Sequence, residues 1–228
     1  MKTGNKLLLG FAGLLVLLML FTNIVLRANF SKGITNTQNH RDNAQQMQTL
    51  EVSAFKALVL VDDHLLESSS AISDGATTWV EVHKDNKFTL SRLANAKVAT
   101  RQNGDTLFVN INSNGQLSIG CPSLESIRSE YCNLNLHDIT SPSLRIDMSP
   151  ATEANIDDIK VGSFTYKGGA LNKIYIDGGS KIDSLHLQLG KSGTLNWQAP
   201  YKYGEMSLDS LREIWIAPEV MSKVKLIK

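Results

Sequence analysis

The sequence predicts an all-β protein, a parallel β-helix or β-solenoid-like exported domain preceded by one N-terminal transmembrane helix. Three observations predict it. The chain opens on an uninterrupted apolar run. After residue 49 it breaks into short β-rich runs separated by turn residues. A hexamer pattern also recurs: apolar, two others, apolar, one other, apolar.

The apolar run is Leu7 to Leu26, "LLLGFAGLLVLLMLFTNIVL", uncharged and with only Thr22 and Asn23 clearly polar. About 20 apolar residues at roughly 1.5 Å each match a bilayer core of about 30 Å. Lys2 and Lys6 precede the run, which favours a cytoplasmic N-terminus and export of everything beyond Arg27. A cleaved signal peptide has a shorter apolar core that ends at a small-residue site. The stretch "VLRANF" has Ala28 but no small residue two positions earlier, so an uncleaved anchor is expected over residues 1–27. The expected partner of residues 7–26 is the lipid bilayer, and the bulk of the chain is expected outside the cytoplasm, in the periplasm or on the cell exterior. Residues 28–48 are polar and rich in Asn and Gln, the composition of a juxtamembrane spacer.

Residues 49–228 are enough for one sizeable core. The whole chain carries 23 Lys and Arg against 22 Asp and Glu. Lys2, Lys6 and Arg27 fall with the anchor, where no acid occurs, so the exported part is slightly acidic. A nucleic-acid partner, which needs a strongly basic surface, is excluded on that ground. Two cysteines, Cys121 and Cys132, lie close together in an exported chain, and a disulfide is expected to close the loop 121–132. A zinc site would need further thiols or a nearby histidine. Inside that loop Leu124, Ile127 and Tyr131 stand at i, i+3 and i+7, which suggests one or two helical turns.

The β region begins with "LEVSAFKALVLV" and continues through "TTWVEVH", "KFTLSRL", "KVATRQ", "DTLFVNI" and "GQLSIG". Asp74-Gly75, Asn103-Gly104 and Asn114-Gly115 supply positive φ for tight turns between such runs. The hexamer appears as "FKALVL" from 55, "IDDIKV" from 156, "LNKIYI" from 171, "IDSLHL" from 182 and "LREIWI" from 211. Its last two apolar residues share one face of an extended segment, so the backbone must bend between them and the first. A bend followed by a short strand, repeated, is what a stacked coil requires, because no single coil buries its inner face alone.

The outward residues of these units are the candidate contacts: Lys160, Tyr175, His186 and Trp215. Taking the longer spacing as one coil puts Lys160, His186 and Trp215 in one column and Tyr175 on a neighbouring face. Exposed aromatics on a flat sheet can stack on sugars or partner side chains. The bland reading is that the terminal segment "APEVMSKVKLI" covers Trp215.

No catalytic, cofactor or metal constellation emerges. Around Gly190, Lys191 and Ser192 the phosphate-loop pattern fails at Leu185, where a glycine is required, and the serine-elbow pattern is one residue out of step. Asp62, Asp63, His64 and Glu67 crowd together, but in an extended segment only Asp62 and His64 share a face. Asp157 and Asp158 suit a corner.

The order "FKALVLVDDHLLESSS", "TTWVEVHKD" and "NGDTLFVNI", followed by short units such as "IDSLHLQLGKSGTLNW", resembles the head GIN domain. That is a family of adhesin-like exported proteins common in Bacteroidetes, and the resemblance covers roughly residues 52–216. It implies a parallel β-helix-like fold on the cell exterior with no catalytic set and no cofactor. The expected role is a binding or adhesion module for surface glycan or protein. The alternatives are a sensory or scaffold part of an envelope complex and, third, a carbohydrate-active enzyme.

Overall fold

A computed structural model describes residues 47–63, 78–112 and 116–221, with the isolated positions Gly13 and Met19. The expected anchor at 7–26, His64, Glu67, Asp74-Gly75 and Asn114-Gly115 therefore lie outside the described residues, save those two positions in the anchor. Among the described residues no helix is long and apolar enough to cross a membrane. Everything below belongs to the compact unit Gln46–Lys228.

The chain is all-β. The first strands are β1 (Met47–Glu51), β2 (Ala57–Asp62), β3 (Thr78–Lys84), β4 (Thr89–Leu93), β5 (Val98–Asn103), β6 (Thr106–Ile111) and β7 (Gln116–Cys121). The next are β8 (Ser126–Glu130), β9 (Cys132–His137), β10 (Thr140–Met148), β11 (Glu153–Asp157) and β12 (Lys160–Gly168). The last are β13 (Lys173–Ile176), β14 (Lys181–Leu189), β15 (Thr194–Trp197), β16 (Tyr201–Leu208) and β17 (Glu213–Ile216). They form two mixed sheets, A in the order β1-β4-β7-β3-β9-β11-β13-β15-β17 and B in the order β16-β14-β12-β10-β8-β2-β6-β5.

From β8 onward, successive strands alternate between the sheets, and each pairs in parallel with the strand two places on. Thr140 sits beside Lys160, and Lys160 beside Lys181, so one circuit takes about twenty residues. The earlier strands break this order. β2 lies between β6 and β8, and β3 between β7 and β9, so the first circuit in sequence is interior in space. The outer end is closed by antiparallel strands, β4 on β7, β1 on β4 and β5 on β6. β5 and β6 form a tight hairpin with Asn103 opposite Thr106, and Gly104 takes the positive φ that the Asn-Gly pair predicts.

The core fills the space lined by the inward columns of both sheets. Val80, Leu117, Leu134, Ala154, Ile174 and Leu195 stack in register on sheet A, and Leu58, Leu107, Ile127, Ile146, Tyr166 and Leu187 on sheet B, all buried. Burial of continuous apolar columns is what holds such a stack together, since each strand exposes its apolar face without the next.

The hexamer has two origins. In β10, β12 and β14 two successive residues point outward or nearly so, at Pro142-Ser143, Gly162-Ser163 and Asp183-Ser184. The strand bends there, and "IDSLHL" places Ile182, Leu185 and Leu187 all inward, as the spacing demands. A Cβ on Gly162 would come within 2.7 Å of the Pro142 carbonyl oxygen, so this bend leaves no room for a side chain. In "LNKIYI", by contrast, Leu171 is 54% exposed in a left-handed corner with φ 61°, and only Ile174 and Ile176 face the core. "IDDIKV" straddles the corner from β11 to β12. One sequence pattern therefore marks a bent strand in one sheet and a corner plus a straight strand in the other.

The corners repeat as well. Tyr131, Ala151, Leu171, Ser192 and Ser210 take positive φ near the starts of β9, β11, β13, β15 and β17. Buried Asn172 ties two corners, its Nδ2 donating to the carbonyl of Ser149 (2.8 Å) and to the carbonyl and hydroxyl of Thr152 (3.1 and 2.7 Å).

Two expectations are corrected here. The parallel register puts Cys121 beside Lys84 and Cys132 beside Thr78, at opposite ends of β3. Six residues of strand span about 20 Å, against the roughly 7 Å that a disulfide tolerates between Cα atoms. Both cysteines are free and buried. Burial, with Asp85 adding to it, pushes the Cys121 thiol up to about 11; burial and then Asp62 push Cys132 up to about 12. Such thiols are poor nucleophiles. The expected helical turns at 122–132 are instead strand β8, with Ile127 and Ser129 alternating inward.

Candidate functional site

Strand β3 turns Val80 and Val82 into the core, and strict alternation then sends Glu81 and His83 outward on sheet A. In β9 the same alternation buries Leu134 and Leu136 and presents Asn135 and His137. The register sets His83 beside His137 and Glu81 beside Asn135. The column of Glu81 and Asn135 continues along the sheet through Asn155, Tyr175, Asn196 and Trp215.

The two imidazoles stack, with centroids 5.5 Å apart and planes 12° from parallel. His137 donates from Nε2 to Glu81 Oε1 at 2.9 Å, and its Nδ1 lies 3.4 Å from Asp138 Oδ2. His83 Nδ1 lies 3.3 Å from the Ser118 hydroxyl on β7. One ligand atom each from Glu81, His83 and His137 falls within 4.8 Å of the other two. Next to them Asn155 Nδ2 donates to Asn135 Oδ1 at 3.0 Å, the start of an amide ladder. A hollow of about 530 Å³ opens over this ground, lined by Glu81, Asn135, His137, Asn155, Asp157 and Tyr175.

Partial burial works to lower the affinity of His137 for its proton, but the bonds to Glu81 and Asp138 and the charges of both outweigh it and raise its pKa above the ordinary histidine value. Asp157 is shifted upward, first by burial and then by Asp177 and Asp158, with His137 partly offsetting them.

The candidate contacts are distributed differently from expectation. Tyr175 and Trp215 share one outward column of sheet A, two strand spacings apart, with Asn196 between them. Trp215 is 49% exposed. His186 lies on sheet B, with Nδ1 2.7 Å from Glu205 Oε1. Lys160 opens β12 in a different column of that sheet, near Asp138 and Asp158. The expected column of Lys160, His186 and Trp215 is therefore corrected. A circuit takes about twenty residues, not twenty-six or more, so Ile156 and Ile182 belong to different sheets.

The sets set aside on sequence are structural where they are described. Buried Asp62 accepts from the Thr78 hydroxyl at 2.7 Å, and Asp63 from Asn110 at 3.2 Å. Asp158 occupies a positive-φ corner, and Gly190 to Gly193 make a turn closed by Gly193 N–H to Gly190 C=O. The sequence reading missed Glu81, His83 and His137. The alternation in "TTWVEVH" already puts Glu81 and His83 on one face. Nothing local says that His137, more than fifty residues later, lands beside them.

No protein-family model matches the chain, and no curated protein matches it. Among solved structures, the fold is similar to that of a Bacteroides fragilis protein described as a "putative adhesin" (TM-score 0.57, 13% identity), with 72% of this chain and 75% of that one covered. A Parabacteroides merdae protein described in the same words aligns with TM-score 0.47, 11% identity and coverage of 75% and 76%. A Parabacteroides distasonis protein described as a "putative lipid binding protein" aligns with TM-score 0.47, 8% identity and coverage of 72% and 78%. The first of these likenesses concerns the fold alone.

Proposed function

We propose that this chain is a non-catalytic binding or adhesion module displayed outside the cytoplasm, a two-sided β-solenoid held at the membrane by residues 7–26. The outer face of sheet A is its binding surface, and surface glycan is the ligand class. One observation carries the reading: Asn135, Asn155, Tyr175, Asn196 and Trp215 stand in a single outward column on parallel strands. Parallel strands repeat every 4.8 Å or so, which places Tyr175 and Trp215 about 10 Å apart. Amides offer both donors and acceptors to hydroxyl groups, and ring faces accept the C–H surface of a sugar. Two amides followed by ring, amide and ring along one track suit an extended polymer.

The solenoid reading is supported by the alternation of strands between two sheets from β8 onward and the circuit of about twenty residues there. The family resemblance to the head GIN domain and the fold likeness to the Bacteroides fragilis protein agree with an adhesive role.

The test is a glycan array and an envelope-protein pull-down with the full chain in detergent, beside the Tyr175→Ala/Trp215→Ala variant. Glycan retention lost in the variant supports the reading. Capture of an envelope protein without glycan binding favours the scaffold alternative. Glycan binding unchanged in a folded variant overturns the assignment of this face.

A further inference from the structure

We propose that Glu81, His83 and His137 form a binding site for one divalent d-block cation of the zinc class, on the outer face of sheet A. The donor set is two imidazoles and one carboxylate, the combination that leaves a fourth position of a tetrahedral ion open to water or ligand. Such an ion has bonds of about 2.0–2.2 Å, so its ligand atoms stand roughly 3.3–3.6 Å apart. The three ligand atoms here lie within 4.8 Å of one another, and rotation about side-chain torsions closes the difference.

The backbone places these groups without adjustment. Glu81 and His83 are two residues apart on β3, and His137 is the direct register partner of His83 on β9. An ordinary ion pair would require Glu81 and His137 alone. The second imidazole, stacked 5.5 Å from the first, adds a nitrogen donor on the same side. Partners for the other ring nitrogens are also in place. Asp138 Oδ2 lies 3.4 Å from His137 Nδ1 and Ser118 Oγ 3.3 Å from His83 Nδ1. Groups at those positions orient imidazole ligands and fix which nitrogen faces the ion. In the metal-free site His137 Nε2–H is directed at Glu81. A cation takes the place of that proton, which leaves to solvent, and bridges the same nitrogen and carboxylate.

The ion would join β3 to β9, strands adjacent in space but separated in sequence by β4 to β8. It therefore ties the irregular first part of the stack to the regular second part, and its binding raises thermal stability by mass action. The proposal does not depend on glycan binding, and Zn²⁺ alone is its probe.

The test uses the tag-free full chain in detergent, freed of metal with a chelator. Zn²⁺ is titrated by calorimetry, Co²⁺ is followed by its visible absorption, and thermal unfolding is recorded with and without Zn²⁺. One ion per chain is expected, with a rise in melting temperature and a tetrahedral Co²⁺ spectrum. His83→Asn, His137→Asn and Glu81→Gln each weaken Zn²⁺ binding at least tenfold. His186→Asn and Tyr175→Phe leave it unchanged. The metal-free melting curve of each variant reports its fold, and Glu81→Gln keeps shape while removing the charge. Absence of stoichiometric uptake overturns the site, as does uptake that persists in the folded His83→Asn/His137→Asn variant.

Discussion

The two sheets of this protein have inner faces of the same kind and outer faces of different kinds. Inside, both present stacked aliphatic columns that meet in one core. Outside, sheet B carries four ion pairs between its own side chains. Arg128 meets Glu130 at 2.6 Å, Arg145 meets Asp147 at 2.8 Å, Lys202 meets Asp183 at 2.7 Å and His186 meets Glu205 at 2.7 Å. Sheet A has an ion pair too, Lys173 with Glu153 at 3.4 Å, but it alone carries the amide and aromatic column and the stacked histidines with their carboxylate. Inward positions answer to packing, which is alike on both sides. Outward positions are free of that demand, so a difference there points to use rather than to folding.

The comparison can be tested from the inside outward. If the inner faces are equivalent, Phe164→Ala on sheet B and Leu136→Ala on sheet A should both destabilise strongly, by about 3–5 and 2–5 kcal/mol in denaturant unfolding. Both side chains are fully or almost fully buried. A core that tolerated one and not the other would break the equivalence. The corners come next. Asn172→Ala should cost about 2 kcal/mol, because it removes a fully buried side chain and its bonds to the Ser149 and Thr152 carbonyls.

Asp177, at the corner between β13 and β14, gives the pH dependence. Burial works to raise its pKa, but bonds from Ser180, Asp158 and Gly179 outweigh this and hold it below the usual carboxylate range. A carboxylate with a depressed folded pKa stabilises above its unfolded value of about 3.9, and that contribution is lost as pH falls through the folded value. Stability should therefore decline on acidification below about pH 4, and Asp177→Asn should flatten that limb of the urea-midpoint profile. The smallest effect is expected on the outside of sheet B. Arg145→Ala breaks an exposed pair and should change stability by less than about 1 kcal/mol.

Much of the fold was legible along the chain, and the reasons are local. Alternation in "TTWVEVH", "DTLFVNI" and "GQLSIG" specifies strands because period two is a property of the extended backbone. Asn103-Gly104 specifies a hairpin because glycine takes positive φ at little cost. The bend in "IDSLHL" followed from its spacing alone. The same reasoning failed where one pattern has two causes. Leu171 fills the first apolar place of the pattern, yet it occupies an exposed corner; Ile156 and Ile182 fill the same place in different sheets, so counting a coil between them misaligned the outward column. Cys121 and Cys132 looked paired because they are near in sequence, and β3 intervenes between them in space.

The candidate site was half legible. Tyr175 and Trp215 were named from the chain, since an outward aromatic between two apolar residues is visible in any strand. That they share a column with Asn135 and Asn155, and that His83 meets His137, depends on register between strands distant in sequence. Along this chain, then, covalent order and alternation settle which residues are strand, which are turn and which face outward. The pairing order, with β2 and β3 slotted between later strands, belongs to the folded stack. Hydrogen bonding between extended backbones is nearly blind to sequence, so partners are chosen by how the buried columns fit together. That choice brings Glu81, His83 and His137 to one place.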